Sequence, residues 1–228
     1  MSFFTQGYEV LKNFIKPENL QVYKLALSNS IPDNYLESHF VLKRPIVSCP
    51  EIINLALSEK VQKEVKKRIG NSWGIGTCNL RTSFADNKPI GPRSTCLFHR
   101  DHNSSNFIKL FFYLNDVEID GGPFVFVKNS HYDKREGSYN PGSRISDNRI
   151  KDLYGDDIVY LTASVGDLII ANTTGFHKGL KCENKDRHML TINYTTEEEV
   201  FGKEKIKQDT YDTLSNENKF RCRFLEII

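Results

Sequence analysis

The sequence predicts a mainly β fold with flanking helices, arranged as a double-stranded β-helix or jelly roll. Up to about residue 75 the apolar residues follow helical spacing, whereas from about residue 77 they alternate or run continuously in short segments. Turn sequences such as DNKPIGP, DGGP and VGD separate those segments. Eight or nine short strands after a helical start are typical of a two-sheet, cupin-like jelly roll.

Two helices are predicted in the N-terminal part. The stretch 17–29 (PENLQVYKLALSN) begins with Pro17, a residue favoured in the first turn of a helix. The stretch 50–70 (PEIINLALSEKVQKEVKKRIG) ends at Gly70, a common helix stop. It carries an apolar residue at every fourth position: Ile53, Leu57, Val61, Val65 and Ile69. This spacing predicts a helix that packs one face against the core.

Nine segments are predicted as strands because they are short, apolar or alternating, and bounded by turn residues. They cover approximately residues 78–85, 94–101, 107–115, 123–128, 157–162, 167–172, 175–180, 187–195 and 219–226.

The longest stretch between two predicted strands is 129–156, which is rich in Gly, Ser, Asn and charged residues. Inserts of this length are commonly lids or binding loops, with a surface loop as the alternative. Its tyrosines Tyr132, Tyr139 and Tyr154 are candidate substrate contacts, although ordinary loop packing would also account for each of them.

One domain is therefore expected over residues 1–228. Its parts would be a helical N-terminal support at about 1–75, a jelly-roll core at about 76–228 and a lid-like insert at about 129–156.

The length and composition favour a single-domain cytoplasmic enzyme. Lys and Arg total 31 against 29 Asp and Glu, so the net charge is only +2 and no basic stripe suggests nucleic acid. The five cysteines are scattered and none forms C-x-x-C, which indicates reduced thiols. No segment is long and apolar enough for a signal peptide or a membrane span.

The stretch FHRDHNSSN, residues 98–106, allows two interpretations. H-R-D followed by Asn106 has the spacing of a protein-kinase catalytic loop. Kinase chemistry also requires a glycine-rich loop, a D-F-G and an A-P-E, and the sequence contains none of them. The kinase interpretation is therefore rejected, and Arg100 and Asn106 are expected to be bystanders.

The second interpretation is a metal site built on His99 and Asp101. Residues i and i+2 of a strand point to the same face and lie roughly 6.5 to 7 Å apart, so both side chains can reach one ion while Arg100 points away. A second histidine would complete two histidines and one carboxylate, a set that suits non-haem Fe(II) because it leaves three adjacent positions open. A hydrogen-bonded surface pair is the alternative for an isolated H-x-D.

His177 is the candidate for the third ligand, because a late β-hairpin of a jelly roll could bring it back towards Asp101. His102 would emerge on the wrong face, His131 follows a turn-like KNS, and His188 alternates away from Arg187. Arg187 opens the last long strand, where its planar guanidinium could grip a carboxylate bidentately.

The chain resembles the phytanoyl-CoA dioxygenase family of Fe(II)- and 2-oxoglutarate-dependent oxygenases. FFTQGYEVLKNFI is similar to its opening segment, which leads into the first strand, and FHRD to its metal motif. LFFYLNDVEIDGGPFVFVKNSH is similar to its central block, and GDLIIANTTGFHKGLKCENKDRHMLTINY to its closing block. These segments are spread over most of the chain.

The resemblance implies that His99, Asp101 and His177 bind Fe(II) and that Arg187 binds the C5 carboxylate of 2-oxoglutarate. Residues of the strand 107–113 would pack beside the co-substrate: Phe111 first, then Lys109 or Tyr113. O2 would be the other co-substrate. The expected reaction is hydroxylation of a small organic substrate, with release of succinate and CO2.

The sequence departs from the family in two places. The usual Pro-Gly before Ser-His is KN here, and Gly179 stands where a small hydroxyl residue is sometimes found. One hydrogen bond to the co-substrate would then be missing, and Arg81 or Asn79 could supply it instead.

Two other functions fit the same residues. A non-catalytic jelly-roll binding protein would carry the triad incidentally, and a cupin-type metalloenzyme that does not use 2-oxoglutarate would leave Arg187 without a carboxylate to hold. Desaturation or ring formation would use the same triad as hydroxylation. The sequence leaves the substrate and the oligomeric state open.

Overall fold

The computed structural model describes residues 3–91, 94–133, 143–200 and 202–228. The α-helices are α1 (Phe3–Gln6), α2 (Gln21–Ser28), α3 (Pro45–Ser48), α4 (Glu51–Ala56), α5 (Glu59–Ile69), α6 (Asp147–Tyr154), α7 (Gln208–Asp212) and α8 (Asn216–Arg221). The strands are β1 (Tyr8–Leu11), β2 (His39–Val41), β3 (Gly74–Ser83), β4 (Phe107–Tyr113), β5 (Phe124–Val127), β6 (Ile158–Leu161), β7 (Leu168–Ala171), β8 (His177–Gly179), β9 (Arg187–Thr195), β10 (Lys205–Ile206) and β11 (Glu226–Ile227).

Two antiparallel sheets face each other, as the predicted jelly roll requires. The larger sheet has six strands in the order β1-β7-β4-β9-β3-β2, and the smaller has three in the order β6-β5-β8. The segment at His99 pairs with β8 and extends the smaller sheet. Strands β10 and β11 form a separate parallel pair.

Apolar side chains fill three layers. One face of the larger sheet, represented by Leu110 and Leu190, packs against the helices of the N-terminal part and the C-terminal segment. The opposite face, with Phe111 and Met189, packs against the smaller sheet. The outer face of the smaller sheet is covered by Ile150 of α6. Residues that alternate along the strands of the larger sheet therefore point either to the helices or to the space between the sheets.

Two of the predicted strands were wrong in extent or type. In 94–101 only Phe98 and His99 form isolated bridges, to Ile145 and His177. The segment 219–226 begins inside α8 instead. Ser215 caps that helix by accepting a hydrogen bond from the backbone N–H of Asn218. Such a cap stabilises a helix at this point, although the apolar pattern favoured a strand.

The N-terminal part contains two strands as well as helices. β1 forms one edge of the larger sheet and β2 the other, and both are four residues or shorter. Such short edge strands carry little periodic signal, and pairing with β7 and β3 determines their conformation.

The predicted helix 50–70 is divided into α4 and α5. Ser58 has an extended backbone (φ −62°, ψ 142°) and interrupts the helical ladder. The predicted apolar row is nevertheless confirmed, because Ile53, Leu57, Val61, Val65 and Ile69 are all buried. Gly70 ends α5 with φ +78°, a conformation that favours glycine.

The insert 129–156 is described at residues 129–133 and 143–156, so Tyr139 lies outside the described residues. Its helix α6 packs Ile150 onto the outer face of the smaller sheet. Tyr132 donates a hydrogen bond to the Phe4 carbonyl (2.8 Å), and the ring of Tyr154 lies 5.8 Å from that of Phe176.

All five cysteines are free, as expected for reduced thiols. None of the helices in the described ranges combines the length and the apolar character needed to cross a bilayer.

Arg68 connects the helical layer to the edge of the larger sheet. Its side chain is fully buried and pairs with Glu9 of β1 and with Glu64 of its own helix, to which the distance is 2.6 Å. A buried guanidinium held by two carboxylates fixes the position of α5 relative to β1.

We expect Arg68→Ala to lower the free energy of unfolding by about 3 kcal/mol, because it leaves two partly buried carboxylates without their cation. Lys67→Ala, at the exposed neighbouring position, should change it by less than about 0.5 kcal/mol. Urea unfolding followed by circular dichroism measures both values. Equal effects of the two substitutions would show that the buried ion pairs do not stabilise the fold.

Candidate metal centre and adjoining cavity

The three predicted metal ligands come from two adjacent chain segments. His99 and His177 exchange two backbone hydrogen bonds of 3.0 Å, and the Asp101 N–H donates to the Thr173 carbonyl at 2.9 Å. The segment 98–101 therefore runs antiparallel to the start of β8, as a fourth strand of the smaller sheet would. His99 and Asp101, two residues apart, and His177, opposite His99, point into the space between the sheets.

Both histidines have one ring nitrogen fixed by a carbonyl of the residue two positions earlier. His99 Nδ1 lies 2.8 Å from the Leu97 carbonyl oxygen, and His177 Nδ1 lies 2.9 Å from that of Gly175. A carbonyl can only accept, so each Nδ1 carries a proton and each Nε2 is turned towards the Asp101 carboxylate. This orientation of the rings prepares both Nε2 atoms for a metal.

The ligand atoms converge on one point. Asp101 Oδ1 lies 4.0 Å from His99 Nε2, and Asp101 Oδ2 lies 3.3 Å from His177 Nε2. Ligand atoms of the three residues all lie within 4.8 Å of one another. In the described part of the chain these residues form the single group of three His, Cys, Asp or Glu side chains with such spacing.

Lys109 completes the surroundings of the Asp101 carboxylate. Its ammonium group donates to Asp101 Oδ2 at 2.7 Å. Although burial opposes ionisation of Asp101, the charges of Lys109 and His177 hold its pKa well below the usual range. Burial, together with the neighbouring His177, lowers the pKa of His99 to about 3. At neutral pH the site thus offers an ionised carboxylate and an uncharged His99 imidazole.

The ligands lie at one side of a cavity of about 220 Å³ between the two sheets. Phe111 and Phe124 form an aromatic wall, with ring centroids 4.5 Å apart, and Phe124 also lies 5.5 Å from the His177 ring. The polar lining comes from Asn79, Arg81, Thr95, Lys109, Arg187 and Thr191.

Arg187 reaches this cavity as a buried cation. Its guanidinium donates to the Ser83 hydroxyl at 3.3 Å and to the Leu180 carbonyl at 3.4 Å, while its Nε has no hydrogen-bond partner. No carboxylate of the described residues pairs with it. A buried guanidinium with spare donors is a strong site for a carboxylate from a ligand.

Gly179 provides the space that Arg187 occupies. A Cβ at this position would lie 2.9 Å from Arg187 Nη2, closer than side-chain atoms normally approach. A glycine at position 179, where the family pattern sometimes has a small hydroxyl residue, thus leaves room for the guanidinium of Arg187.

The structure places the other residues considered from the sequence away from the metal ligands. His188 lies on the opposite face of the larger sheet and its Nδ1 is 2.9 Å from the Thr82 hydroxyl. His131 Nε2 is 3.3 Å from the Phe4 carbonyl oxygen. His102 is not part of the convergent group.

Tyr113 is engaged within the sandwich. Its hydroxyl accepts a hydrogen bond from the Phe124 N–H at 2.7 Å and donates to the Leu161 carbonyl at 3.4 Å. The tyrosine therefore supports the aromatic wall from behind, and it does not line the cavity.

Arg100 has a structural role that the sequence did not indicate. It points away from the metal ligands, as predicted, and donates to the carbonyls of Ser130, Asp133 and Thr174 at 2.6 to 2.7 Å. It thereby ties the segment of His99 and Asp101 to the start of the insert.

Sequence reasoning missed Phe124, Thr95, Met189 and Thr191 as cavity residues. Alternation could have indicated two of them, since Met189 and Thr191 follow Arg187 at steps of two along β9. Phe124 faces the triad only because β5 pairs with β8, which no local pattern specifies.

No family profile and no curated protein matches the sequence. Solved structures do match the fold. HygX from Streptomyces hygroscopicus, with nickel and 2-oxoglutarate bound, is 14% identical with a TM-score of 0.61, over 91% of this chain and 88% of HygX.

Two further solved structures also match. SnoK, a non-haem 2-oxoglutarate-dependent carbocyclase, is 14% identical with a TM-score of 0.67, over 86% of this chain and 83% of SnoK. SnoN, an epimerase solved with Fe³⁺, 2-oxoglutarate and nogalamycin RO, is 11% identical with a TM-score of 0.65, over 85% and 80%. The chain therefore has the jelly-roll fold that these 2-oxoglutarate-binding proteins share.

Proposed function

We propose that this protein is a non-haem Fe(II)- and 2-oxoglutarate-dependent dioxygenase that hydroxylates a small organic substrate and releases succinate and CO2. One observation carries the proposal: a two-histidine, one-carboxylate group whose histidines are buried shares a cavity with a buried arginine that has no acidic partner among the described residues. The first part fits the metal and the second fits a dicarboxylate co-substrate.

The donor set suits Fe(II). Two imidazoles that present Nε2 and one ionised carboxylate form the facial arrangement used by non-haem iron oxygenases. His99, Asp101 and His177 would hold the ion, and Lys109 would keep the Asp101 carboxylate ionised and oriented. Bound Fe(II), with 2-oxoglutarate and O2, would supply the oxidation.

Arg187 distinguishes this function from the two alternatives. In the proposed complex it binds the C5 carboxylate of 2-oxoglutarate, while Phe111 packs beside the co-substrate chain. A metalloenzyme without 2-oxoglutarate, or a non-catalytic binding protein, would need a different anion to compensate for this buried cation.

The phytanoyl-CoA dioxygenase resemblance and hydroxylation as the reaction both belong to the proposal. HygX was solved with hygromycin B and SnoN with nogalamycin RO, which supports a small-molecule substrate for this chain as well. Asp101 favours hydroxylation over halogenation, because the carboxylate occupies the metal position that a halide would need.

We expect the anaerobic protein to develop a weak visible charge-transfer band when Fe(II) and 2-oxoglutarate are added together. Asp101→Ala and His177→Ala should abolish the band, because each removes a metal ligand. His39→Ala, an exposed histidine on β2, should leave it unchanged. A wild-type protein without the band would contradict the proposal, as would a band that survives both triad substitutions. Mass spectrometry of reactions with a metabolite panel then tests for a product heavier by one oxygen.

We expect Gly179→Ala to weaken 2-oxoglutarate binding about tenfold, because the added methyl group displaces the guanidinium of Arg187 and impairs a charge-assisted hydrogen bond. Gly121→Ala is a matched control, since its Cβ would meet its nearest neighbour, Val117, at an ordinary 3.7 Å. Titration of the charge-transfer band with 2-oxoglutarate measures both affinities. If Gly179→Ala bound 2-oxoglutarate as tightly as wild type does, Arg187 would not be the residue that binds the co-substrate.

We expect the metal-free protein to lose stability as the pH falls from 6.5 towards 3. The pKa of His99 is 6.5 before folding and about 3 in the folded chain, so only the unfolded chain takes up this proton in that range. The contribution of uncharged His99 to the free energy of unfolding is fully present above pH 6.5. At pH 5 the free energy of unfolding should be lower by on the order of 2 kcal/mol. Urea unfolding with a chelator should show a weaker pH dependence for His99→Gln than for wild type. If the free energy of unfolding varied with pH equally in both proteins, His99 would not be the group whose pKa is lowered by folding.

A further inference from the structure

A second, larger cavity adjoins the metal cavity. Its volume is about 560 Å³, and Arg81, Thr95 and Arg187 line both spaces. We call it the outer cavity; strands β2 and β3, residues of 84–91 and 94–96 and the segment 180–182 line it. The two arginines therefore stand between the metal ligands and a space large enough for a small organic molecule.

The outer cavity has an excess of positive charge. Its described lining contains four cationic side chains and one carboxylate: Arg81, Lys88, Lys181, Arg187 and Asp86. The carboxylate is already engaged, because Asp86 Oδ1 pairs with Lys181 at 3.2 Å and accepts the Lys88 N–H at 3.0 Å. Apolar surface from Val41, Phe84 and Ile90 completes the lining. This combination suits an organic anion with an apolar body.

Arg81 stands at the junction of the two cavities. Along the inner face of β3, Asn79 lines the metal cavity alone, Arg81 lines both, and Ser83 lines the outer cavity alone. Arg81 Nη2 donates to the Ser83 hydroxyl at 3.1 Å, so the guanidinium is directed towards the outer side. Its Nε has no hydrogen-bond partner, and no carboxylate of the described residues pairs with it.

Arg81 remains a cation at neutral pH. Burial, together with the charge of Arg187, lowers its pKa to about 10, which is still well above 7. Two neighbouring guanidinium groups, both bonded to the Ser83 hydroxyl, repel each other unless anions lie between or beside them.

The proposed co-substrate neutralises only one of the two guanidinium groups. Once the keto-acid end of 2-oxoglutarate binds the metal, one free carboxylate remains, and Arg187 beside Gly179 receives it. We propose that Arg81 binds an anionic group of the substrate in the outer cavity, with the apolar part of the substrate against Val41, Phe84 and Ile90. This inference rests on the proposed function, and it assigns the substrate class: a small organic anion bearing a carboxylate or a phosphate-type group.

Calorimetric titration of the anaerobic Fe(II) protein, saturated with 2-oxoglutarate, tests the inference with three probes of similar shape. We expect 3-phenylpropionate or 2-phenylethylphosphonate to bind at least tenfold more tightly than the neutral 3-phenylpropionamide. The tighter of the two anions identifies whether the group is a carboxylate or a phosphate type.

Substitutions separate the two arginines. Arg81→Gln should weaken binding of the preferred anion at least tenfold and change the dissociation constant of 2-oxoglutarate less than threefold. Arg187→Gln should instead raise the dissociation constant of 2-oxoglutarate. Arg81→Lys keeps the charge and should retain part of the anion binding. Lys67→Gln removes an exposed charge on α5 and should bind both ligands as wild type does.

Three results would overturn the inference. The first is that the amide binds as tightly as the anions, and the second is that neither anion binds the wild type. The third is that Arg81→Gln weakens 2-oxoglutarate binding as much as Arg187→Gln does. In the last case both arginines would hold the co-substrate. A missing charge-transfer band contradicts the proposed function instead. In that case, titration of the metal-free wild type and of Arg81→Gln with the anions still measures the affinity of the outer cavity for an anion.

Discussion

His99 and His177 exchange two backbone hydrogen bonds, and the arrangement of the site depends on this pairing. It joins the segment that contains Asp101 to the smaller sheet and sets the distance between the two imidazole rings, whose centroids are 4.3 Å apart. A shift of one residue in the register would turn one of the rings away from the space between the sheets. The backbone therefore sets the geometry before any ligand arrives.

The space between the sheets is an unusual interior, because charged groups replace part of the apolar packing. Asp101 and Lys109 compensate each other at 2.7 Å, whereas the partners of Arg187 and Arg81 among the described residues are neutral oxygens. Burial of uncompensated cations opposes folding, so the apolar layers on both sides of the larger sheet must stabilise the fold enough to retain them. Such an arrangement is typical of a site prepared for anions.

Arg100 shows how the surroundings hold the site in place. In sequence it lies between His99 and Asp101, the two candidate metal ligands of its segment. Its guanidinium instead binds three carbonyls on the other side and stacks on Phe176, 3.9 Å from the ring centroid. Cationic donors and an aromatic face thus fix the strand-like segment from behind. The same alternation that directs His99 and Asp101 inward makes this possible.

The sequence by itself determined the jelly-roll class, the apolar row along α4 and α5, and a set of metal-ligand types in an order that fits a strand and a later hairpin. These features depend on periodicity and spacing, which are local. Only the tertiary structure decided that β8 lies beside the segment 98–101, that Phe124 faces His177, and that Arg81 and Arg187 share the Ser83 hydroxyl between two cavities. Each of these contacts joins residues that are distant in the chain. They depend on strand pairing and sheet packing, which a local pattern does not specify.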